Sequence, residues 1–230
     1  MPEAVEFTRE PVSMIDEMQD YYRRRASIYD ASMGYDREEV LQRHEPAIEY
    51  LMQRFAGRSV LEIACGPGFW TQFLARTAFE ILATDFNEAT LVEARKKDFA
   101  SHVKLRQADA YALPDFGTTF DACFAGDWFC HVPISRRPGF LGGLHSRLKP
   151  GAVVVFCDQS PKEGSFSGET DAEGNNIQTR TLPDGNSFPV IKNFPGRDEL
   201  EGLLSRYTTA VKIVDFPDSR RYVVEYHLDK

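Results

Sequence analysis

Leu61-Glu62-Ile63-Ala64-Cys65-Gly66-Pro67-Gly68 is the stretch that decides the fold. Residues 59–64 form a short apolar run between Gly57 and Gly66, which suits a strand buried on both faces better than an amphipathic helix. The run empties into a glycine turn, and Phe69-Trp70-Thr71 opens a helix behind it. Glycine lets a ligand approach the backbone closely. In open α/β sheets ligands sit outside the carboxyl ends of the strands, so this turn and its neighbouring strand ends should converge on one crevice.

Working outward, strand-like runs recur at 80–84, 102–107, 120–125 and 152–158, separated by helical or mixed stretches such as 88–97. That alternation predicts a parallel sheet with helical crossovers. Ahead of it, Ser13 with Asp16 caps a helix over about 12–30, and Asp36 with Glu39 caps a second ending at Gly57. Beyond Ser160 the texture turns polar and glycine-rich, which reads as a mobile loop. Residues 177–182 and 187–191 then flank Pro183-Asp184-Gly185-Asn186, the turn of a β-hairpin. A helix over 198–206 and β-runs at 210–216 and 221–228 close the chain.

The second strand end carries Asp85, 23 residues beyond Glu62, where an acidic side chain can accept both hydroxyls of an adenosine ribose. A dinucleotide site would use the same geometry, but its fingerprint needs a third glycine where this chain has Thr71. A further acidic strand end follows in Arg106-Gln107-Ala108-Asp109-Ala110, then Leu113-Pro114, then Phe120-Asp121-Ala122-Cys123-Phe124.

On these features, from about Val40 to Ser160, the chain resembles the class I S-adenosylmethionine-dependent methyltransferases that act on small molecules. Leu148-Lys149-Pro150-Gly151-Ala152 matches the usual turn before their fifth strand. The resemblance implies an α/β, Rossmann-like, mostly parallel seven-stranded sheet flanked by helices, with an N-terminal helical lid and an inserted β-hairpin. It implies one domain over 1–230, divided into a lid (1–35), a donor-binding core (36–160), a substrate-side loop and hairpin (161–195) and a C-terminal helix and strand pair (196–230).

It also implies roles for individual residues. Gly66 and Gly68 would pass under the methionine part of the donor, with Ala64 where many members have glycine. Glu62 would organise the glycine loop, Asp85 with Phe86 would take the ribose, Asp109 with Ala110 the adenine edge, and Asp127 the donor's amino group. Tyr22 and Arg25, which share a helix face at i and i+3, would clasp the donor, the planar arginine fork suiting its carboxylate. Trp70, Trp128 and Phe129 would wall the crevice beside the sulfonium, since aromatic faces attract a cation. The expected product is S-adenosylhomocysteine.

The donor already carries an activated methyl group, so alignment and exclusion of water are the main tasks and no metal is needed. His131, in Gly126-Asp127-Trp128-Phe129-Cys130-His131 after the fourth strand, is the candidate base for a hydroxyl or carboxyl acceptor. N-methylation on the same scaffold, a nicotinamide-dependent oxidoreductase and a donor-binding protein without turnover are the alternatives.

Bulk properties narrow the setting. With 27 Lys and Arg against 35 Asp and Glu, the net charge is −8, which repels a phosphate backbone and points to a small-molecule partner, not nucleic acid. No apolar run approaches the roughly 20 residues that span a bilayer, and Met1-Pro2-Glu3-Ala4-Val5-Glu6 lacks a signal pattern, so a cytoplasmic location is expected. The four cysteines show no CxxC pair and read as reduced core residues. The hairpin offers a surface on which a homodimer could form.

Overall fold

The computed structural model describes residues 13–229, so the reading of Met1 to Glu6 and the first position of the lid helix lie outside the described residues. Among the described residues nine strands form in chain order: β1 (Ser59–Ile63), β2 (Glu80–Asp85), β3 (Val103–Gln107), β4 (Phe120–Gly126), β5 (Leu148–Gln159), β6 (Ile177–Thr181), β7 (Ser187–Ile191), β8 (Val211–Phe216) and β9 (Arg221–His227). Seven of them make one sheet in the order β3-β2-β1-β4-β5-β9-β8, and β6 pairs with β7 in a separate two-stranded sheet. The first five are parallel, while β9 runs antiparallel to both β5 and β8.

The order follows from where apolar side chains can be covered. All five residues of β1 are buried, as a central strand sandwiched between helical layers requires. On one face α3 (Glu38–Phe55) delivers Ile48, Leu51 and Phe55 against Val60, Phe124 and Val155. On the other, α6 (Arg137–His145) and α7 (Arg197–Leu204) deliver Phe140, Leu144, Leu200 and Leu204 against Leu61, Cys123 and Phe156. The chain builds β1, β2 and β3 outward in one direction, then crosses to lay β4 on the other side of β1. At that reversal the loops after β1 and β4 diverge, which opens a crevice at their carboxyl ends.

A third, smaller cluster lies above this edge. Helix α1 (Met14–Arg25) is capped by the Ser13 hydroxyl, which accepts from the Asp16 N–H at 3.2 Å. Its buried Met18 and Tyr21 pack on Ile177, Leu182, Val190 and Ile191 of the hairpin. The hairpin thus has one face covered from within the chain. After α1 a tight turn over Ala26–Ile28 leads into α2 (Tyr29–Met33), so the single helix expected over 12–30 is broken. Arg37, not Asp36, occupies the cap position of α3, and it makes no side-chain cap bond.

Other departures have physical causes. β5 begins at Leu148, not at Ala152; Gly151, at φ +77°, lets the strand carry an irregularity opposite Phe120 and Ala122. The polar stretch after Ser160 forms no helix or strand of its own, but it is anchored: Asn176 is buried and its Nδ2 donates to the Lys192 carbonyl at 2.8 Å. The helix behind the glycine turn, α4 (Thr71–Leu74), has only four residues, and α5 (Glu88–Arg95) follows β2. All four cysteines are buried and free, and no described helix is long and apolar enough to cross a membrane.

Gly126, at the end of β4, is required by close approach. A Cβ there would lie 2.5 Å from Cδ1 of the buried Trp70 ring. Gly126→Ala is expected to lower stability by about 1–3 kcal/mol through overpacking, seen as a reduced midpoint in urea with an unchanged slope.

Candidate functional site: a cleft at the ends of β1, β2 and β4

The crevice is open to solvent and is lined by residues from the ends of β1, β2 and β4, from the segment after β3 and from α1. Its floor is the β1 turn, with Ala64, Gly66 and Pro67; Asp85 and Phe86 come from the end of β2, and Asp109 and Ala110 from beyond β3. Gly126, Asp127, Trp128 and His131 close the β4 side, and Met18 and Tyr22 of α1 form part of the roof. The lining is mainly apolar with a few convergent polar groups, as a site for a nucleoside-containing ligand requires.

The glycine turn is shaped by main-chain geometry. Gly66 has φ +56° and Ala64 has φ +51°; the latter is a left-handed conformation that costs a residue with a side chain about 1–2 kcal/mol. That cost explains why glycine suits the position occupied by Ala64. Asp85, not Glu62, organises the loop: its Oδ2 accepts from Gly66 N–H at 2.9 Å and its Oδ1 from Asn87 N–H at 2.8 Å. Each oxygen retains a second lone pair for a ligand hydroxyl. Burial pushes the Asp85 carboxyl above its ordinary pKa, against the hydrogen bonds from Asn87 and Gly66 that lower it.

Glu62 lies beneath the turn, 1% exposed. Burial raises its pKa to about 8, and its Oε2 has no hydrogen-bond partner among the described residues. Gly68 is also outside the lining; at φ +80° a Cβ would meet Phe99 at 2.6 Å, so its role is to pack the turn. Trp70 and Phe129 do not wall the cleft either. Trp70 packs behind Gly126 and Phe129 stacks on Phe156, with ring centroids 4.8 Å apart. Arg25 is likewise not in the lining: its guanidinium donates to Ser32 Oγ at 2.8 Å and lies over the ring of Tyr29, which does line the cleft.

Asp127 reaches the cleft but is committed to a buried ion pair with Arg221, the first residue of β9. Burial pushes its carboxyl up, yet Arg221 and Lys192 together hold it below the ordinary carboxylate value. Arg221 is 2% exposed and also donates to the Tyr35 hydroxyl at 2.8 Å. Sequence reasoning missed Arg221, although a charge opening the apolar run Tyr222-Val223-Val224 is the same signal that singled out Glu62.

His131 Nδ1 faces the main-chain carbonyl of Ile191 at the end of β7, and its Nε2 lies 2.9 Å from the Tyr22 hydroxyl. A carbonyl only accepts, so Nδ1 carries the hydrogen and Nε2 accepts from Tyr22. The hairpin therefore fixes the tautomer, and α1 supplies the partner at the other nitrogen. Burial, reinforced by the Lys192 ammonium, pushes the imidazole pKa down to about 3. The ring is neutral at physiological pH.

Comparisons with known proteins bear on the family and the fold. A family described as methyltransferase domain matches residues 60–151. This match, together with the fold and the similar proteins that follow, supports a class I S-adenosylmethionine-dependent methyltransferase. It is similar to a probable S-adenosylmethionine-dependent methyltransferase of Mycolicibacterium smegmatis, 29% identical over 141 residues, covering 61% of this chain and 52% of the relative. It is also similar to a ubiquinone biosynthesis O-methyltransferase of Ruegeria pomeroyi, 29% identical over 57% of this chain and 52% of the relative. The chain spans about half the length of these curated relatives. A solved structure titled as the DhpI-SAM-HEP complex superimposes with a TM-score of 0.77 at 29% identity, covering 94% of this chain and 99% of that one. The methyl donor of the family is S-adenosylmethionine.

Proposed function

We propose that the protein transfers a methyl group from S-adenosylmethionine to an oxygen of a small-molecule acceptor. The observation that carries this reading is the Tyr22–His131 pair at the wall of the donor cleft. Bound S-adenosylmethionine supplies a methyl group on a positively charged sulfur. Asp85 and Phe86 are placed to hold its ribose, Asp109 and Ala110 its adenine edge, and the Gly66 turn its methionine part. The rings of Tyr22, Tyr29, Tyr111 and Trp128 line the same cleft, where they keep water out and favour a cation.

The pair defines what happens to an acceptor proton. Nε2 of His131 is already bonded by the Tyr22 hydroxyl, so an acceptor hydroxyl reaches the imidazole through Tyr22, donating to its oxygen. The acceptor proton passes to the Tyr22 oxygen and the Tyr22 proton to Nε2 of His131 as the new carbon–oxygen bond forms; burial disfavours the resulting imidazolium, which gives its proton to water on product release. An oxygen acceptor suits this arrangement because the pair offers a neutral acceptor for its proton, while of the cleft's carboxylates Asp127 is paired with Arg221 and Asp85 and Asp109 are assigned to the donor. The relative named as a ubiquinone biosynthesis O-methyltransferase supports the same reading.

The test is turnover of a panel of hydroxylated small molecules, followed as formation of S-adenosylhomocysteine. His131→Gln and Tyr22→Phe are each expected to lower kcat by about 10²–10⁴, with donor affinity within about threefold of the parent. Because the two residues act in series, the double variant should be no slower than the worse single one. No inflection from His131 is expected near pH 6.5, the ordinary histidine value. Multiplicative losses, or turnover of amines in preference to hydroxyls, would contradict the reading.

A further inference from the structure

On the far side of the Asp127–Arg221 pair lies a solvent-open pocket that shares no lining residue with the donor cleft. Arg37 and Arg43 enter it from α3 and its approach, Arg220 and Arg221 from the start of β9, and Tyr35 and His44 complete that wall. Asp218 is the one carboxylate in the lining. With Arg221 neutralised by Asp127, three guanidiniums, those of Arg37, Arg43 and Arg220, stand against one carboxylate in the lining, a local reversal of sign in a chain whose net charge is −8.

Arg221, at the floor, is satisfied: it pairs with Asp127 and donates to Tyr35 Oη and His44 Nε2. The others are not. Arg37 lies 3.9 Å from Glu39, both largely exposed, a contact of little strength. Arg43 donates to the Glu39 main-chain carbonyl at 2.9 Å, and among the described residues neither Arg43 nor Arg220 has a salt bridge. Arg220 adopts a left-handed conformation, φ +52°, ordinarily left to glycine or asparagine and, in other residues, concentrated where ligands are held. The turn that imposes it is fastened by Arg220 N–H to Pro217 O at 3.0 Å and Ser160 N–H to Arg220 O at 2.9 Å.

Tyr35 supplies a second, independent indication. Its ring is stacked on Phe69 and it is 7% exposed. Its oxygen accepts from Arg221, so its own proton is left to donate, and no described residue accepts it. A buried O–H donor beside guanidinium forks calls for a ligand made of acceptors.

We propose that this cavity binds the phosphate group of a small molecule or free inorganic phosphate. A phosphate offers enough acceptor oxygens to meet several guanidiniums and one hydroxyl together, where a carboxylate offers two. The site is separate from the donor cleft, and the proposal does not depend on the methyl-transfer reading.

Calorimetric titration of the full chain tests it without donor or acceptor present, using inorganic phosphate in one arm and glycerol 3-phosphate in the other, with ionic strength matched by chloride. Saturable binding in either arm is expected, and the tighter arm identifies the source of the phosphate. In the surface variant Arg43→Ala/Arg220→Ala the affinity should fall by about tenfold or more. No saturable heat in either arm up to about 10 mM, or binding that survives both substitutions unchanged, would overturn the assignment. Since S-adenosylmethionine is absent, failure here leaves the donor cleft untouched, and failure of methyl transfer leaves this result standing.

Discussion

Asp85→Ala should weaken S-adenosylmethionine binding by about a hundredfold or more, read by calorimetry, with S-adenosylhomocysteine affected alike. The carboxylate sits at the end of β2 in the cleft lining. In the proposed reading its free lone pairs accept from the ribose hydroxyls, and a hydrogen bond to a charged group is worth about 1.5–3 kcal/mol. Two such bonds correspond to about two powers of ten or more in affinity. The substitution also releases the N–H groups of Gly66 and Asn87 that Asp85 now binds, so the glycine turn loses its tether. The loss should appear in donor affinity more than in unfolding, because the ionised carboxylate is itself strained by burial: its raised pKa means that it opposes folding as pH rises above the ordinary carboxylate value. Donor affinity within about threefold of the parent would remove Asp85 from the site.

The second large effect is on stability. Arg221→Met leaves Asp127 buried without its guanidinium partner, and breaking a buried pair in this way costs about 3–5 kcal/mol. For a chain of this size that is a fall in Tm of roughly 10 °C. The effect carries a pH signature. Asp127 is held below the ordinary carboxylate value, so the pair contributes fully above the unfolded carboxylate pKa of about 4 and its contribution is lost as pH falls through the lower folded value. The difference between parent and variant should therefore shrink in acid. Asp127→Asn combined with Arg221→Met should recover much of the loss, since neither charge is then left uncompensated. A variant as stable as the parent at neutral pH would show that the pair does not hold β9 to the end of β4.

Much of the donor half of the site was legible in the chain because it is local. The apolar run of β1, the glycine turn and the acidic ends after β2 and β3 each announce themselves within a few residues, and strand order then brings them together. Ala64, Gly66, Asp85, Phe86, Asp109 and Ala110 line the cleft as a consequence. Errors arose where a side chain had to choose between neighbours distant in sequence. Trp70 is adjacent to the turn but packs behind Gly126, 56 residues away. Glu62 has the right position for supporting the loop, yet the hydrogen bonds to Gly66 and Asn87 come from Asp85. Helix α6 was absent from the sequence reading because its Pro138, Gly139, Gly142 and Gly143 suppress the usual signals. Its Phe140, Leu141 and Leu144 are nonetheless buried against the sheet.

The sequence by itself determined the strand and turn pattern and the class of the fold, since these rest on periodicity, backbone freedom at glycine and charge at strand ends, all of which act within a few residues; the donor followed from the family resemblance that these features carry. Tertiary structure alone decided which side chains meet at the His131 and Asp127 wall of the cleft. His131 has its tautomer set by Ile191 and its partner supplied by Tyr22, 60 and 109 residues away, and Asp127 is paired by Arg221, 94 residues on. Which groups meet across a buried wall depends on how the covering elements pack, and no local pattern encodes that packing.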